Sequence, residues 1–437
     1  MMNNMMKLFL LPVLLCAPAA AADGLDLTRS VELAIKSNLY VKLASADSEA
    51  QRAEALAAAA RLLPQVELSV SQERTFKENL TALGFGYAPG GDPYLVGPFN
   101  TFDARLRLVF SALDLSSRAS ARSKKEDEKT ALLRLELAKE QVAAAAALSY
   151  LDALRCASAE NSALAGKELA SSLRALAENK HSAGTATGLD VVRARTREAE
   201  EALRVIRART ALQEALLRLK HIAGLPLADE IDLTEELSFS PDQPLDPGKA
   251  VGDALSERLE IQIGRADLLA GGYALRAAKN ARLPSVAVSA SAAMSGQTPN
   301  NEDKLVGDMG IAARLPIFAG GRLDAGIAGA SAVKSRAESR LSAAATQVEE
   351  EVRVAIYRTN ASAEEVETAS MTFTLAEQEL EMARNRFAAG AGDNVEVVNA
   401  QTSLSRALDN RVDALSRHKE ANIRLTLALG RMKKLKF

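Results

Sequence analysis

The stretch NKHSAGTATGLDVVRARTREAEEALRVIRARTALQEALLRLKHIAG, residues 179–224, returns as NRFAAGAGDNVEVVNAQTSLSRALDNRVDALSRHKEANIRLTLALG, residues 385–430. The offset is a constant, gap-free 206 (390 − 184). It pairs Ala183-Gly184 with Ala389-Gly390, Asp190-Val191-Val192 with Glu396-Val397-Val398, and Arg218-Leu219 with Arg424-Leu425. A second echo lies upstream at an offset of 220 (284 − 64), where Leu63-Pro64-Gln65-Val66 matches Leu283-Pro284-Ser285-Val286. A unit of roughly 200 residues far exceeds the ~20–50 of solenoid repeats, so the chain reads as a duplicated half-molecule.

Composition narrows what such a half can be. A net charge of −2 over 437 residues leaves no basic footprint for nucleic acid. Trp is absent and aromatics make up 4%, while Ala and Leu crowd the middle of each half, as in long helices. The N-terminus reads as an export signal over 1–22: Lys7, the apolar run Leu8 to Leu15, then Ala20-Ala21-Ala22. Cys16 follows Leu15, not the small residue of a lipoprotein signal, so lipidation is not expected. The mature chain then keeps one cysteine, Cys156, which cannot form an internal disulfide and reads as a packing residue.

Along each half the hydrophobic period changes in the same order. From Leu27 to Leu62 the pattern is helical and stops at Pro64; Val66, Leu68 and Val70 then alternate with polar residues, the period of a strand. A turn-rich loop, Gly84 to Pro98, leads to a second alternating run whose apolar side is Phe102, Ala104, Leu106, Leu108 and Phe110 and whose other side carries Asp103, Arg105 and Arg107. Arg118 to Lys180 holds no proline and one glycine, Gly166, which costs about 1 kcal/mol in a helix. The chain turns at Ser182-Ala183-Gly184 and runs helical to Gly224. The first repeat is therefore 23–226, with a β-hairpin at 65–110 and its turn at 182–188; the connector is 227–248. The second repeat, 249–437, has its hairpin at 285–315 and its turn at 388–394. Single helices are predicted for Leu27 to Leu62 and for Gly248 to Arg282. Placed end to end, two short helices match one long one, which predicts a bundle near 100 Å with strands at one end and the two glycine turns at the other.

Four strands per chain cannot close a barrel, yet their alternation over roughly ten residues fits one built in a membrane by several chains. Seven of the seventeen aromatics lie between Phe76 and Phe110, as an interfacial girdle would. No phosphate loop, zinc spacing or nucleophile–base pair stands out; His181, His221 and His418 are scattered. The reading is a non-enzyme with no cofactor and no metal.

Taken in order and in duplicate, these signatures resemble the TolC-type outer-membrane efflux proteins (outer membrane factors). The resemblance runs from Leu27 to about Met432. It is carried by Arg61-Leu62-Leu63-Pro64 and Arg282-Leu283-Pro284, by Pro316-Ile317-Phe318-Ala319-Gly320-Gly321-Arg322, and by the turns with Leu189-Asp190-Val191-Val192 and Val395-Glu396-Val397-Val398. It implies a mainly α fold with a small β part: long α-helical hairpins forming a trimeric tunnel, capped by a 12-stranded transmembrane β-barrel. It implies an exit duct of a tripartite efflux pump or type I secretion system in the outer membrane of a Gram-negative bacterium. Implied partners are two further copies, outer-membrane lipid, a periplasmic membrane-fusion adaptor and an inner-membrane RND or ABC-type pump.

Carried over by position, the adaptor-docking turns fall on Ala183, Gly184 and Thr185 and on Ala389, Gly390 and Ala391. The gate falls on Asp190 with Arg193 and on Glu396 with Asn399. This chain departs from the family in having Asn399 in place of a second acid and Gly392 in place of a base; Arg193, Arg384 or Arg386 could substitute. The competing reading of Asp190 and Glu396 is an ordinary acidic preference at a helix start. A soluble periplasmic adaptor and a purely structural helical protein are the alternatives. The first would need a single hairpin flanked by β domains, and the second sustained heptads, which are not evident.

Overall fold

A computed structural model describes residues 24–84, 87, 89–93, 95–240, 245–298 and 304–432. The expected signal peptide over 1–22, with Cys16, lies outside the described residues. The helices are α1 (Leu27–Ser37), α2 (Leu39–Ala60), α3 (Leu115–Ser182), α4 (Gly188–Ala223), α5 (Pro247–Glu257), α6 (Leu259–Asn280), α7 (Arg322–Ala388) and α8 (Asn394–Ala428). The strands are β1 (Gln65–Thr75), β2 (Glu78–Asn79), β3 (Leu95–Val96), β4 (Phe99–Leu113), β5 (Ser285–Gly296) and β6 (Lys304–Arg314). Adding 220 carries α1, α2 and the start of β1 onto α5, α6 and the start of β5 (27 to 247, 60 to 280, 65 to 285). Adding 206 carries the first residue of α4 onto that of α8 (188 to 394).

The predicted single helices before each first strand are each two helices. The chain leaves the helical region at Asn38 (φ −62°, ψ 132°) and again at Arg258 (φ −60°, ψ 131°). The cause lies in the return helices, whose last carbonyls lack intrahelical donors. Ser37 Oγ donates to Ala223 O at 2.7 Å and Asn38 Nδ2 to Ile222 O at 3.5 Å. In the second half Arg258 Nη1 donates to Ala428 O at 3.1 Å, and 428 is 222 + 206. The kink therefore serves the same end in both halves: it turns a side chain onto the C-terminus of the return helix. No glycine or proline marks it, so the helical period runs through it unbroken.

Helix packing builds a layer four positions wide. At 68 residues α3 spans about 100 Å. It packs along α2 and α4, which follow one another on one side, and along α6 and α8 on the other; α7 packs on α6 and α8. The order is α2/α4, α3, α6/α8, α7. Ala143, Ala144, Ala147 and Ala153 of α3 are buried, and small side chains there let neighbouring axes approach closely. Leu25, Leu27, Tyr150, Leu154, Leu219 and Ile423 fill the core beside them. The segment after α4 is fastened to the chain start by a parallel bridge between Leu25 and Leu233, and Tyr150 Oη donates to Leu25 O at 3.0 Å.

The strands form one antiparallel sheet in the order β1-β4-β5-β6, so the two hairpins lie side by side. Its register places Leu68 opposite Leu106, Leu106 opposite Ala292 and Ala290 opposite Met309, which gathers the apolar residues on one face. On the other face Arg105 donates to Asp103 Oδ2 and to Ser291 Oγ, both at 3.0 Å, and stands 3.5 Å from Asp308. Beyond the first hairpin, β2 and β3 pair as a small two-stranded outgrowth.

Candidate functional site

Two parts of the molecule are built for contact: the glycine turns at one end and the unpaired edges along the rest. Each turn closes its long helix with a left-handed glycine, Gly184 at φ +76° and Gly390 at φ +77°. Thr185 N–H reaches back to Lys180 O at 2.9 Å and Ala391 N–H to Arg386 O at 3.0 Å, the bond that satisfies an orphan helix carbonyl. Ala183, Gly184, Thr185, Ala389, Gly390 and Ala391 are all exposed. The turns also meet: Lys180 Nζ donates to Ala388 O at 3.2 Å and sits 4.9 Å above the Phe387 ring. Beneath them Leu173, Leu380, Ala383, Phe387, Val397 and Ala400 pack together.

The four gate candidates occupy different environments. Asp190 is buried, and its Oδ2 accepts from Thr187 N–H at 2.9 Å and from Thr187 Oγ1 at 2.7 Å. The Asp190 N–H returns a bond to Thr187 Oγ1, so the pair forms a capping box at the start of α4. Those hydrogen bonds from Thr187 hold the Asp190 carboxyl below the usual carboxylate range, helped by Arg193 at 3.9 Å. Asp190 thus performs the helix-start role, with its carboxylate turned to its own backbone. Glu396 is different: its side chain is 47% exposed, and Arg386 Nε lies 3.4 Å from Oε2. Gly392 makes room for that pair, since a Cβ there would stand 3.1 Å from Arg386 Cβ and 3.3 Å from Glu396 Oε2. Arg386 is thus the base that faces Glu396, where the family pattern has one at position 392. Asn399 is exposed.

Sequence reasoning missed Asn394, which is buried and donates from Nδ2 to Asp190 O at 3.0 Å, tying the starts of α4 and α8 together. It missed Thr187 as well, although Thr187-Gly188-Leu189-Asp190 has the spacing of a capping box and was legible as one. His418 is a packing residue: it is buried, 3.1 Å from Ser362 Oγ, with its ring 5.1 Å from that of Phe239. Burial raises the pKa of the Cys156 thiol above its ordinary value.

The edges complete the site. Within the described chain β1 and β6 each have one partner, and every residue of β6 is exposed. On the sheet's apolar face Leu68, Leu305, Met309 and Ile311 are between 69% and 83% exposed. Along the helices, Leu39, Tyr40, Leu43 and Leu56 on the α2 edge are exposed, as are Tyr357, Met371 and Met382 on the α7 edge. An open antiparallel sheet with an apolar outer face, continued by a layer of long helices open on the same two sides, is one segment of a barrel with a tunnel beneath it.

Known proteins of this class share the fold. The chain superimposes on the outer membrane protein VceC of Vibrio cholerae with a TM-score of 0.80 at 19% identity, over 92% of this chain and 96% of that one. The CmeC outer membrane channel of Campylobacter jejuni gives 0.78 at 20% identity, covering 93% and 85%. The open state of the MtrE outer membrane channel of Neisseria gonorrhoeae gives 0.76 at 16%, covering 92% and 88%. No curated protein sequence matches the chain. Residues 250–431 match the model of the outer membrane efflux protein family.

Proposed function

We propose that three copies of this chain close into one duct: a 12-stranded barrel in the outer membrane and a helical tunnel through the periplasm. The observation that carries this is the pair of open edges. β1 of one copy can pair with β6 of the next while α2 and α4 meet α7 of the same neighbour, so a single rotation covers both. Open strand edges are not tolerated in lipid, which makes closure obligatory for a sheet whose outer face is apolar. Three copies of a four-strand segment give the twelve strands of a complete barrel.

The duct is a passive conduit of a tripartite efflux pump or type I secretion system. It docks through Ala183–Thr185 and Ala389–Ala391 onto a periplasmic adaptor that links it to an inner-membrane pump. Its periplasmic end is gated by the second turn. A threefold axis there gathers three Glu396 carboxylates, each leashed by Arg386, into a ring that favours cations. Asp190 and Arg193 stiffen the first turn, and Asn399 lies one helical turn above Glu396 as a neutral second layer. The domain boundaries follow: two repeats, 23–226 and 249–437, joined by 227–248.

Membrane extraction with mass measurement tests the assembly: a trimer that needs detergent supports the duct, and a monomer released by salt alone sinks it. For the gate, Glu396→Ala in a planar bilayer should lower cation preference or change conductance. No change in either returns Glu396 to the helix-start role.

A further inference from the structure

The duplication predicts what the two open helical edges meet. The offset of 206 carries α3 onto α7, matching Arg134-Leu135 with Arg340-Leu341 and Gln141-Val142 with Gln347-Val348. The offset of 220 carries Ala46-Asp47 of α2 onto Ala266-Asp267 of α6. The seam between α3 and α6, where the two halves of one chain meet, is therefore a template. In a head-to-tail ring its counterpart is α7 of one copy against α2 of the next. Within the chain the template seam is polar. Ser116 Oγ donates to Ala277 O and Ser123 Oγ to Ala270 O, both at 2.9 Å. Farther along, Thr130 Oγ1 donates to Asp267 Oδ1 at 3.0 Å, and Arg134 Nη2 stands 3.5 Å from Asp267 Oδ2.

Shifted by the two offsets, the same seam changes chemistry. Arg322 and Gly329 stand where Ser116 and Ser123 do, so both hydroxyl bonds are gone. Asp267 becomes Asp47, Arg134 becomes Arg340 and Thr130 becomes Arg336, which sets one carboxylate against two guanidinium groups. All three side chains are exposed, and among the described residues none of them has an ion-pair or hydrogen-bonded partner. Lys334 and Leu341 mark the side of α7 that packs on α6: a Cβ at Gly271 would stand 3.2 Å from Lys334 Cα, and one at Gly264 3.5 Å from Leu341 Cα. Arg336 and Arg340 lie roughly 120–160° round the helix from Lys334, turned away from α6. Since α2 and α7 are the outer positions of the layer, these opposite charges cannot meet within one chain.

We propose that Arg336 and Arg340 of one copy clamp Asp47 of the next, and that this charged contact fixes the register in which copies join. The inference rests on the duct reading and names a contact that closes the ring. Arg340 lies 18 residues into α7 (340 − 322), about 27 Å from its start, and 50 residues before Gly390 (390 − 340), about 75 Å. The clamp is thus remote from both the strands and the glycine turns, and its role is assembly. Where the halves of one chain are joined by hydroxyls on backbone carbonyls, separate copies are joined by complementary charge, which selects the correct partner edge.

The test is charge reversal in the full-length protein, read as trimer recovered from membranes in detergent. Asp47→Lys alone, and Arg336→Glu with Arg340→Glu, each put like charges across every seam and should lower trimer recovery about tenfold or more. All three substitutions together restore opposite charges and should return recovery to near the wild-type level. A second arm joins the same place covalently: Asp47→Cys with Arg340→Cys, in a Cys156→Ala background, treated with a short bis-maleimide. Denaturing gels should then show covalent dimers and trimers. One-sided variants that trimerise like the wild type, a combined variant that does no better than they do, or a cysteine variant that leaves only monomer bands each overturn the clamp. Wild-type protein that never forms a trimer refutes the duct reading instead.

Discussion

Arginine placed on adjacent residues of β6 separates a lipid-facing sheet from an ordinary soluble one. Met309 is mid-strand, opposite Ala290, and 83% exposed on the apolar face. Gly310, the next residue, points to the face that holds Arg105 and Asp308; a Cβ there would meet Ser289 Oγ at 3.8 Å, an ordinary contact. If the apolar face meets lipid, Met309→Arg costs about 2–4 kcal/mol per chain near the bilayer midplane. A closed barrel carries three copies, so the assembly loses roughly 6–12 kcal/mol, comparable to the whole stability of a domain. Gly310→Arg meets water inside the barrel, and at an exposed site its effect should be within about 0.5 kcal/mol. The assay is recovery of detergent-resistant trimer from the outer-membrane fraction, followed by urea unfolding of each variant refolded into lipid vesicles. Met309→Arg should lose most of its trimer while Gly310→Arg keeps it. Equal recovery, or a greater loss at Gly310, would refute the assignment of faces and with it the barrel.

Other outcomes follow from single contacts. Arg258→Met removes donors to Ala428 O, Glu260 and Glu351. The two glutamates are each about a third exposed and can rehydrate, so the loss should be about 3 kcal/mol in a urea titration, not the full sum of charged hydrogen bonds. Asn38→Ala, whose side chain caps Tyr40 N–H at 2.9 Å, should cost only about 1 kcal/mol in the same assay. Because the folded Asp190 carboxyl is held low, its cap is fully formed above the ordinary carboxylate range and is lost as pH falls through the folded value. Amide exchange in the first turn of α4 should therefore lose protection between neutral and strongly acid pH, and Thr187→Ala should abolish that dependence. Cys156, buried with a raised pKa, should react with a maleimide only after unfolding.

Much of this was legible because duplication and period are properties of the sequence itself. Val66, Leu68 and Val70 announced a strand by alternation, and the sheet register then placed them on one face with Leu106 and Ala292. Asn38 and Arg258 were not legible as breaks, since the reason for each lies about 170–185 residues away, at Ala428 and Ile222. Arg386 was one of three arginines that could answer Glu396, and only folding of the turn over Gly392 selects it. The ion pair between Arg204 of α4 and Asp409 of α8 was invisible for a related cause: the two lie 205 residues apart, and no spacing along the chain links them.

The two offsets of the repeat differ by 14 (220 − 206), and that difference has an address. It falls between the first strand and the long helix, where residues 76–98, which include β2 and β3, separate β1 from β4, whereas seven residues, 297–303, separate β5 from β6. In the proposed ring of three copies, longer and shorter connections would therefore alternate around the mouth like a crown with three points. The mouth of that proposed ring would have threefold symmetry, although the helical wall below would be nearly sixfold. Epitope tags inserted between Pro89 and Asp92 should accordingly be displayed on intact cells without disturbing a single helix contact.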